Sequence, residues 1–415
     1  MIEVSNTSVP IVILQSAPSL QHGGLSVART AGRLGIRVYW VHGQSRVPAA
    51  SSRYVHETFS WNESAPAQVS AASLLDYSRQ IGGESILIPV DDTAAIFLAD
   101  QAEALRERFL FPNQPAGLAR SLSSKKEMYL LCRQMGIPTP EVTFPKSGDE
   151  VAAFVETAVF PVALKRIAGW LPEHRAQESV TIANSPEELW EKYKKIENPG
   201  EPNAMLQEYI PGSPDSFWVF AGFFTNESEC LVGFTGKKIR QSPPFRGVTT
   251  LGICLKNEML EKTAIDFMRK VGYSGIVDME YRYDRRDGQY KLLDVNPRIG
   301  AQFRLFVDSN GLDVVRALYL YLTGQLVRPG TAREGRKWIV EQSDLMTSVR
   351  YGRLGKLTLM EWARSLRGIE EGAWFAWDDL APFVAMSYTS FPKAVRKLKD
   401  RIEAVRVLRK RHPLR

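Results

Sequence analysis

The part of this 415-residue chain that most narrows its fold is a pair of apolar segments that turn polar at their tips, Ile276-Val-Asp-Met-Glu280 and Leu292-Leu-Asp294-Val-Asn296-Pro-Arg298. Leu292 and Leu293 belong in a core, whereas Asn and Pro are poor strand residues, so the polar run after them marks the end of a strand. Paired antiparallel, the two segments form a hairpin. Side chains alternate with period two, so Asp294 and Asn296 share a face, and Glu280 can meet them there. A hairpin carrying Asp and Glu is most often a solvated sheet face. Polar groups at the tip of an apolar strand are more often a site. Such hard oxygen donors suit Mg²⁺, with Mn²⁺ as a substitute.

Upstream, the chain opens as α/β. Pro10–Leu14 reads as a buried strand, Gln15–Gly24 as a loop, Leu25–Leu34 as a helix closed by Gly35, and Ile36–Val41 as the next strand. This is the start of a doubly wound sheet, whose strand ends bind ligands. Ser85–Pro89 is a later strand of that sheet, tipped by Asp91 and Asp92. His22-Gly23-Gly24 is read equally well as a tight strand-to-helix turn and as a phosphate contact. From Ser124 the pattern changes. A capped helix, Ser124–Met135, stops at Gly136-Ile-Pro-Thr-Pro140, and Val159–Lys165 is a strand ending in a lysine. A strand Val180–Ala183 and a helix Ser185–Ile196 follow. Met205–Ile210, Phe217–Thr225, Cys230–Gly236, Ile276–Asp284 and Tyr290–Val295 read as antiparallel strands interrupted by a helix, Leu260–Val271. The expected organisation is an α/β domain over 1–115, an α+β domain over 116–330 with a small subdomain near 140–210 and a larger one near 211–330, and an extension over 331–415.

Composition is ordinary for a globular protein, 44% hydrophobic and 24% charged, with a net charge of +7. Residues 1–330 hold 35 basic and 36 acidic side chains, while 331–415 hold 18 and 10, so the excess sits in the last fifth. Cys132, Cys230 and Cys254 form no CxxC pair, which argues against disulfides and zinc and for a cytoplasmic location. No apolar run approaches the ~20 residues of a membrane span, and Met1–Gln15 lacks the features of a signal peptide.

Taken in order, Ser-Lys125-Lys-Glu…Gly-Ile-Pro-Thr-Pro, Phe-Pro-Val-Ala-Leu-Lys165, Leu-Gln207-Glu208-Tyr209-Ile210-Pro-Gly and Leu-Leu-Asp294-Val-Asn296-Pro-Arg298 resemble the ATP-grasp superfamily across roughly residues 10–330. Phe234-Thr-Gly-Lys-Lys238-Ile-Arg240-Gln-Ser-Pro-Pro is similar to its carboxylate-amine ligase branch, which includes D-aspartate ligases. The resemblance implies an N-terminal doubly wound domain followed by an ATP-grasp fold, ATP and Mg²⁺ as cofactors, and small amino-acid-like carboxylate and amine substrates. It implies that Lys125 and Lys165 bind nucleotide, that Gln207–Ile210 meet the adenine, and that Asp215, one residue late and shorter than the usual Glu, takes the ribose. Glu280, Asp294 and Asn296 match the metal ligands, and Arg298 the arginine facing the transferred phosphate. Position 294 is Asp where Glu is usual. The Gly-rich phosphate loop expected after Lys165 is here Arg166-Ile-Ala-Gly169-Trp-Leu-Pro-Glu-His-Arg175, in which only Gly169 is a glycine.

The expected reaction is amide or peptide bond formation through an acyl phosphate, with release of ADP and phosphate. Arg240 is the candidate fork for the substrate carboxylate, with Lys238 beside it on the same face. The alternatives are a carboxyphosphate-forming enzyme of the carbamoyl-phosphate synthase kind and a catalytically silent nucleotide-binding protein. Trp338, Trp362, Trp374 and Trp377 suggest a satellite core in the extension. Apolar positions Val395, Leu398, Ile402, Val405 and Leu408 make Lys393–Arg411 a basic amphipathic helix. Docking on the protein body is its favoured role, contact with an anionic membrane through 393–415 the alternative. Homodimerisation is a further expectation, and nucleic-acid binding is not expected.

Overall fold

The computed structural model describes residues 4–17, 22–43, 47–169, 180–197, 200, 202–212 and 216–389. Asp215, Trp170–Arg175 and the terminal segment 393–415 lie outside them.

Three sheets organise the chain. The first strands, β1 (Ile11–Leu14), β2 (Val38–His42), β3 (Val55–Ser60), β4 (Ser85–Pro89) and β5 (Phe109–Leu110), form a parallel sheet in the order β3-β2-β1-β4-β5. Ile11–Leu14 is fully buried, as a central parallel strand covered on both faces must be. The next four strands are β6 (Val142–Thr143), β7 (Val162–Arg166), β8 (Val180–Ala183) and β9 (Ala204–Glu208), an antiparallel sheet ordered β6-β9-β7-β8. The remaining strands are β10 (Phe217–Phe224), β11 (Cys230–Ser242), β12 (Val248–Cys254), β13 (Gly275–Asp284), β14 (Gln289–Asn296), β15 (Lys337–Ile339) and β16 (Ile369–Gly372). They make a seven-stranded sheet, β14-β13-β10-β11-β12-β15-β16.

The first helix starts earlier than its apolar pattern suggests, running His22–Gly32, so His22-Gly23-Gly24 is its first turn. The glycines there allow close packing. A Cβ on Gly24 would lie 2.6 Å from the Trp40 ring, and one on Gly23 would lie 3.0 Å from the Ala301 backbone. The helix Lys125–Met135 has its expected ends, with the Ser124 hydroxyl accepting from the Glu127 N–H and Gly136 in the left-handed conformation.

The extension is not a satellite. Strand β15 pairs with β12, and Trp338 and Trp374 join one core cluster with Leu25, Trp40, Val219, Phe234 and Leu305. Trp377, by contrast, is exposed. Arg29 fastens the first helix to this region through Asp379 at 2.9 Å and the Trp374 carbonyl at 2.7 Å. Arg304 does the same for the large sheet, pairing with Glu371 on β16 and with Asp313. No helix among the described residues is long and apolar enough to cross a membrane.

An interior helical glycine replaced by alanine ordinarily gains about 0.5–1 kcal/mol. Gly24→Ala should reverse that sign and cost about 1–3 kcal/mol, because the rigid Trp40 ring occupies the space of the new methyl group. Denaturant unfolding of the variant measures it.

Candidate functional site

The predicted hairpin forms in the register that brings its acids together. Across β13 and β14, Glu280 lies opposite Asp294 and Asp278 opposite Asn296. Glu280 and Asp294 line a cleft of about 290 Å³ whose other walls include Ala163, Lys165, Gln207 and Ile210 from the small sheet and the chain after it, and Lys125 from the start of the helix Lys125–Met135. The cleft therefore lies between the second and third sheets.

Each acid meets a lysine. Lys125, at the start of its helix, pairs with Asp294. Lys238, only 1% exposed on β11, pairs with Glu280 at 2.6 Å. Burial alone would push the Asp294 carboxyl up, but Lys125, Lys165 and Arg298 together outweigh it and hold it below its ordinary value. Lys165 is buried on β7, and desolvation, reinforced by the Lys125 ammonium, lowers it to about 8. Desolvation and then the nearby Glu280 charge push Asp278 up to about 7. Gly300 passes close over it, where a Cβ would lie 2.5 Å from the Asp278 carboxyl carbon.

Arg298 reaches the start of the helix Asp92–Asp100. Its Nε donates to Asp92 at 2.8 Å, its Nη2 to the Asn296 amide oxygen at 3.0 Å and its Nη1 to the Ile299 carbonyl. Burial would lower its pKa, but the combined effect of Asp92, Asp278 and Asp91 raises it. Asp91 itself is structural: it caps the helix Asp92–Asp100 and accepts from the Ser16 hydroxyl and the Ser16 and Ala17 amides.

The segment Gln207–Ile210 is the end of β9, an interior strand of the small sheet, and the two residues that follow it. Gln207 accepts from the buried Tyr129 hydroxyl at 3.0 Å. The Glu208 N–H donates to the Glu141 carbonyl, its own carbonyl accepts from the Gln207 side-chain amide at 3.4 Å, and its side chain pairs with Arg286. Tyr209 lies under the Arg282 guanidinium, which also covers Phe217.

Arg240 is a correction. Its Nε and Nη2 both donate to Asp344 at 2.8 Å, its Nη1 donates to the Ser365 hydroxyl, and the side chain is 3% exposed. All its nitrogens serve the helix Glu341–Arg353 and its neighbours, so it is no fork for a substrate. The β11–β12 pairing is irregular on both sides of Arg240, and the two side chains meet different partners, Lys238 pairing with Glu280 and Arg240 with Asp344. Cys132, Cys230 and Cys254 are free, with burial pushing each thiol up to about 12, in keeping with apolar filler.

Sequence reasoning did not anticipate two features of the site. One is Asp278, whose period-two spacing from Glu280 was the available signal. The other is the connection between β11 and β12, whose Phe245, Arg246, Gly247 and Val248 line the cleft; β12 itself was not foreseen. Among the described residues no three His, Cys, Asp or Glu side chains converge as a metal site. A divalent ion here has two facing carboxylates, the Asn296 amide and whatever oxygens its ligand brings. That donor set fits Mg²⁺.

Residues 229–321 match the family model of the carbamoyl-phosphate synthase L chain, ATP binding domain. The chain is 25% identical over 240 residues to D-aspartate ligase of Enterococcus faecium, covering 56% of this chain and 57% of that one. It is 25% identical over 189 residues to carbamoyl-phosphate synthase of Methanobrevibacter smithii, covering 42% and 44%. It thus spans about half the length of these relatives. Among solved structures it resembles an L-amino acid ligase from Bacillus licheniformis, with a TM-score of 0.59 at 16% identity and 78% coverage of each chain. N5-carboxyaminoimidazole synthetase from Staphylococcus aureus complexed with ADP gives 0.61 at 12% identity, covering 84% of this chain and 87% of that one. Three sheets with a cleft between the second and third make a fold similar to that of these solved structures, and the segment matched by the family model carries the hairpin that lines the cleft.

Arg240→Met should cost about 3–5 kcal/mol by stranding the buried Asp344 carboxylate. Arg240→Met combined with Asp344→Leu should recover most of that loss in denaturant unfolding, a recovery that a substrate-binding role for Arg240 would not produce.

Proposed function

We propose that the protein is an ATP-dependent carboxylate-amine ligase that forms an amide or peptide bond through an acyl phosphate and releases ADP and phosphate. The observation that carries this reading is the cleft itself, which Lys125 and Lys165 line together with Glu280 and Asp294, with Arg298 at the end of the same hairpin. A triphosphate is the ligand such a mixture of cations and hard oxygens accommodates. The likeness to a D-aspartate ligase and to an L-amino acid ligase supports amino-acid-like substrates.

In this reading the Glu208 carbonyl and Ile210 backbone meet the adenine, with Gln207 and Tyr209 shaping the pocket around it. Lys165 and Lys125 hold phosphates. Glu280, Asp294 and Asn296 hold Mg²⁺ or Mn²⁺, which when bound neutralises charge on the phosphoryl group in transit. A substrate carboxylate attacks the γ-phosphorus, and ADP leaves. The amine then attacks the acyl carbon, phosphate is expelled, and the amine gives up a proton. Arg298 is oriented by Asp92 and Asn296 to stabilise the phosphoryl group and the acyl phosphate. Lys238 adds charge beside Glu280. Catalysis is mainly alignment and charge neutralisation. The match of residues 229–321 favours one second reading, with bicarbonate as the acid.

ADP release measured over a panel of amino acids, alone and in pairs, and with bicarbonate, separates these readings. Stimulation by an acid and amine together is expected, and no stimulation by any pair would leave only nucleotide binding. Asp294→Ala should lower turnover about 100-fold or more while melting stays near the parental value. Turnover at the parental rate would move the metal site elsewhere.

Phosphate favours the ammonium form of Lys165, so nucleotide binding takes up a proton once the free protein is above the lysine's pKa of about 8. Affinity should therefore fall as pH rises through 8, by up to about tenfold per unit. Lys165→Arg, which stays charged, should flatten that slope in titration calorimetry.

A further inference from the structure

A second cavity, of about 90 Å³, shares no lining residue with the cleft. Its lining comes from β4 and the helix Asp92–Asp100, which supply Leu87, Ala95 and Leu98, and from Ile276 on β13 and Pro297 and Ile299 just past β14. The lining is mostly apolar and includes no aspartate or glutamate. Arg106 and Asn113 are its exposed members and so mark the mouth.

At that mouth the Arg106 guanidinium lies over the Phe111 ring, 4.3 Å from its centroid, and donates to the Phe111 and Pro112 carbonyls, both at 3.3 Å. These contacts hold the group in place without neutralising it. Partial desolvation lowers its pKa, and among the described residues no carboxylate offsets that shift. A guanidinium carries five N–H donors, so most of them remain for an anion. A partly desolvated cation beside an apolar slot is complementary to an anion with a hydrocarbon tail. A dry cavity of about 150 Å³ takes up benzene, so one of about 90 Å³ suits a chain of about three to four carbons. An α-ammonium group would find no carboxylate along the lining, which disfavours an amino acid here.

We propose that this cavity binds a short aliphatic monocarboxylate, its tail inside and its carboxylate on Arg106, as an effector that acts on Arg298. Arg298 also lines the cavity, between Pro297 and Ile299, and its Nε donates to Asp92, three residues before Ala95 on the helix that lines the same space. A tail in the cavity therefore packs against the segments on either side of the Asp92–Arg298 pair and holds the guanidinium in place. The effect on turnover rests on the reading of Arg298 as the arginine that faces the phosphoryl group; the binding does not.

Equilibrium dialysis of the full chain against radiolabelled pentanoate tests the site, with acetate, 1-pentanol and norvaline as competitors. Acetate, which lacks three methylenes, should compete about 50-fold less well. The alcohol, without the charge, and norvaline, with an added ammonium, should each compete about tenfold less well or worse. Arg106→Gln, at an exposed position, should bind pentanoate only as well as the parental protein binds 1-pentanol, and Ala99→Leu, which fills the slot, should bind neither. Pentanoate should raise kcat for ADP release about twofold or more in the parental protein and not in Arg106→Gln, with KM for ATP unchanged. No retention of pentanoate, equal competition by acetate, or undiminished binding to Arg106→Gln would overturn the site. Binding that leaves turnover unchanged would overturn the link to Arg298. A parental protein that retains pentanoate but releases no ADP with any substrate would overturn the ligase reading and leave the site standing.

Discussion

Two carboxylates directly opposite each other on adjacent strands repel, and a sheet carries such a pair only when something compensates. Glu280 and Asp294 are that pair, and the compensation comes from two distant parts of the chain. Lys238 approaches along β11 and Lys125 from the start of the helix Lys125–Met135. Bringing both lysines to one hairpin fixes how β11 and that helix, whose Met128, Tyr129 and Cys132 pack in the core of the large sheet, stand against it. The cleft is the space those ion pairs leave. The same charges that stabilise the empty arrangement are the ones a metal and a triphosphate would exchange with, so the fold and the proposed chemistry draw on one set of interactions.

The hairpin also depends on what lies behind it. Arg298 leaves the end of β14 and meets Asp92 in the first domain, while Gly300 passes over Asp278 closely enough that only a glycine fits. From there the chain crosses the large sheet, Leu305 and Phe306 packing where Gly252 and Gly236 leave room, until Arg304 reaches Glu371. The C-terminal strands are thereby joined to the site by a continuous run of packed residues. Arg29 and Asp379 close the circuit from the first helix.

Much of this was legible in order along the chain. Period-two alternation placed Asp294 and Asn296 on one face and put Glu280 within reach, and capping residues marked the helix Lys125–Met135 at both ends. Lys165 at the end of an apolar strand was likewise readable. Strand β12 was not, because Val248–Cys254 holds two threonines and a glycine in place of a clear apolar run. Nor was the fate of Arg240, since its partner Asp344 is 104 residues away on a helix that nothing near Arg240 announces.

The sequence alone determined the local alternation, the helix ends and the inventory of charges, because each depends on neighbours within a few residues. Which charge meets which was decided only by tertiary structure. The β11–β12 pairing is irregular on both sides of Arg240, and Lys238 meets Glu280 at the site whereas Arg240 meets Asp344 in the scaffold. Likewise, Trp338 and Trp374 became part of the central core only because β15 pairs with β12. Long-range pairing and burial set those outcomes, and no spacing within the chain encodes them.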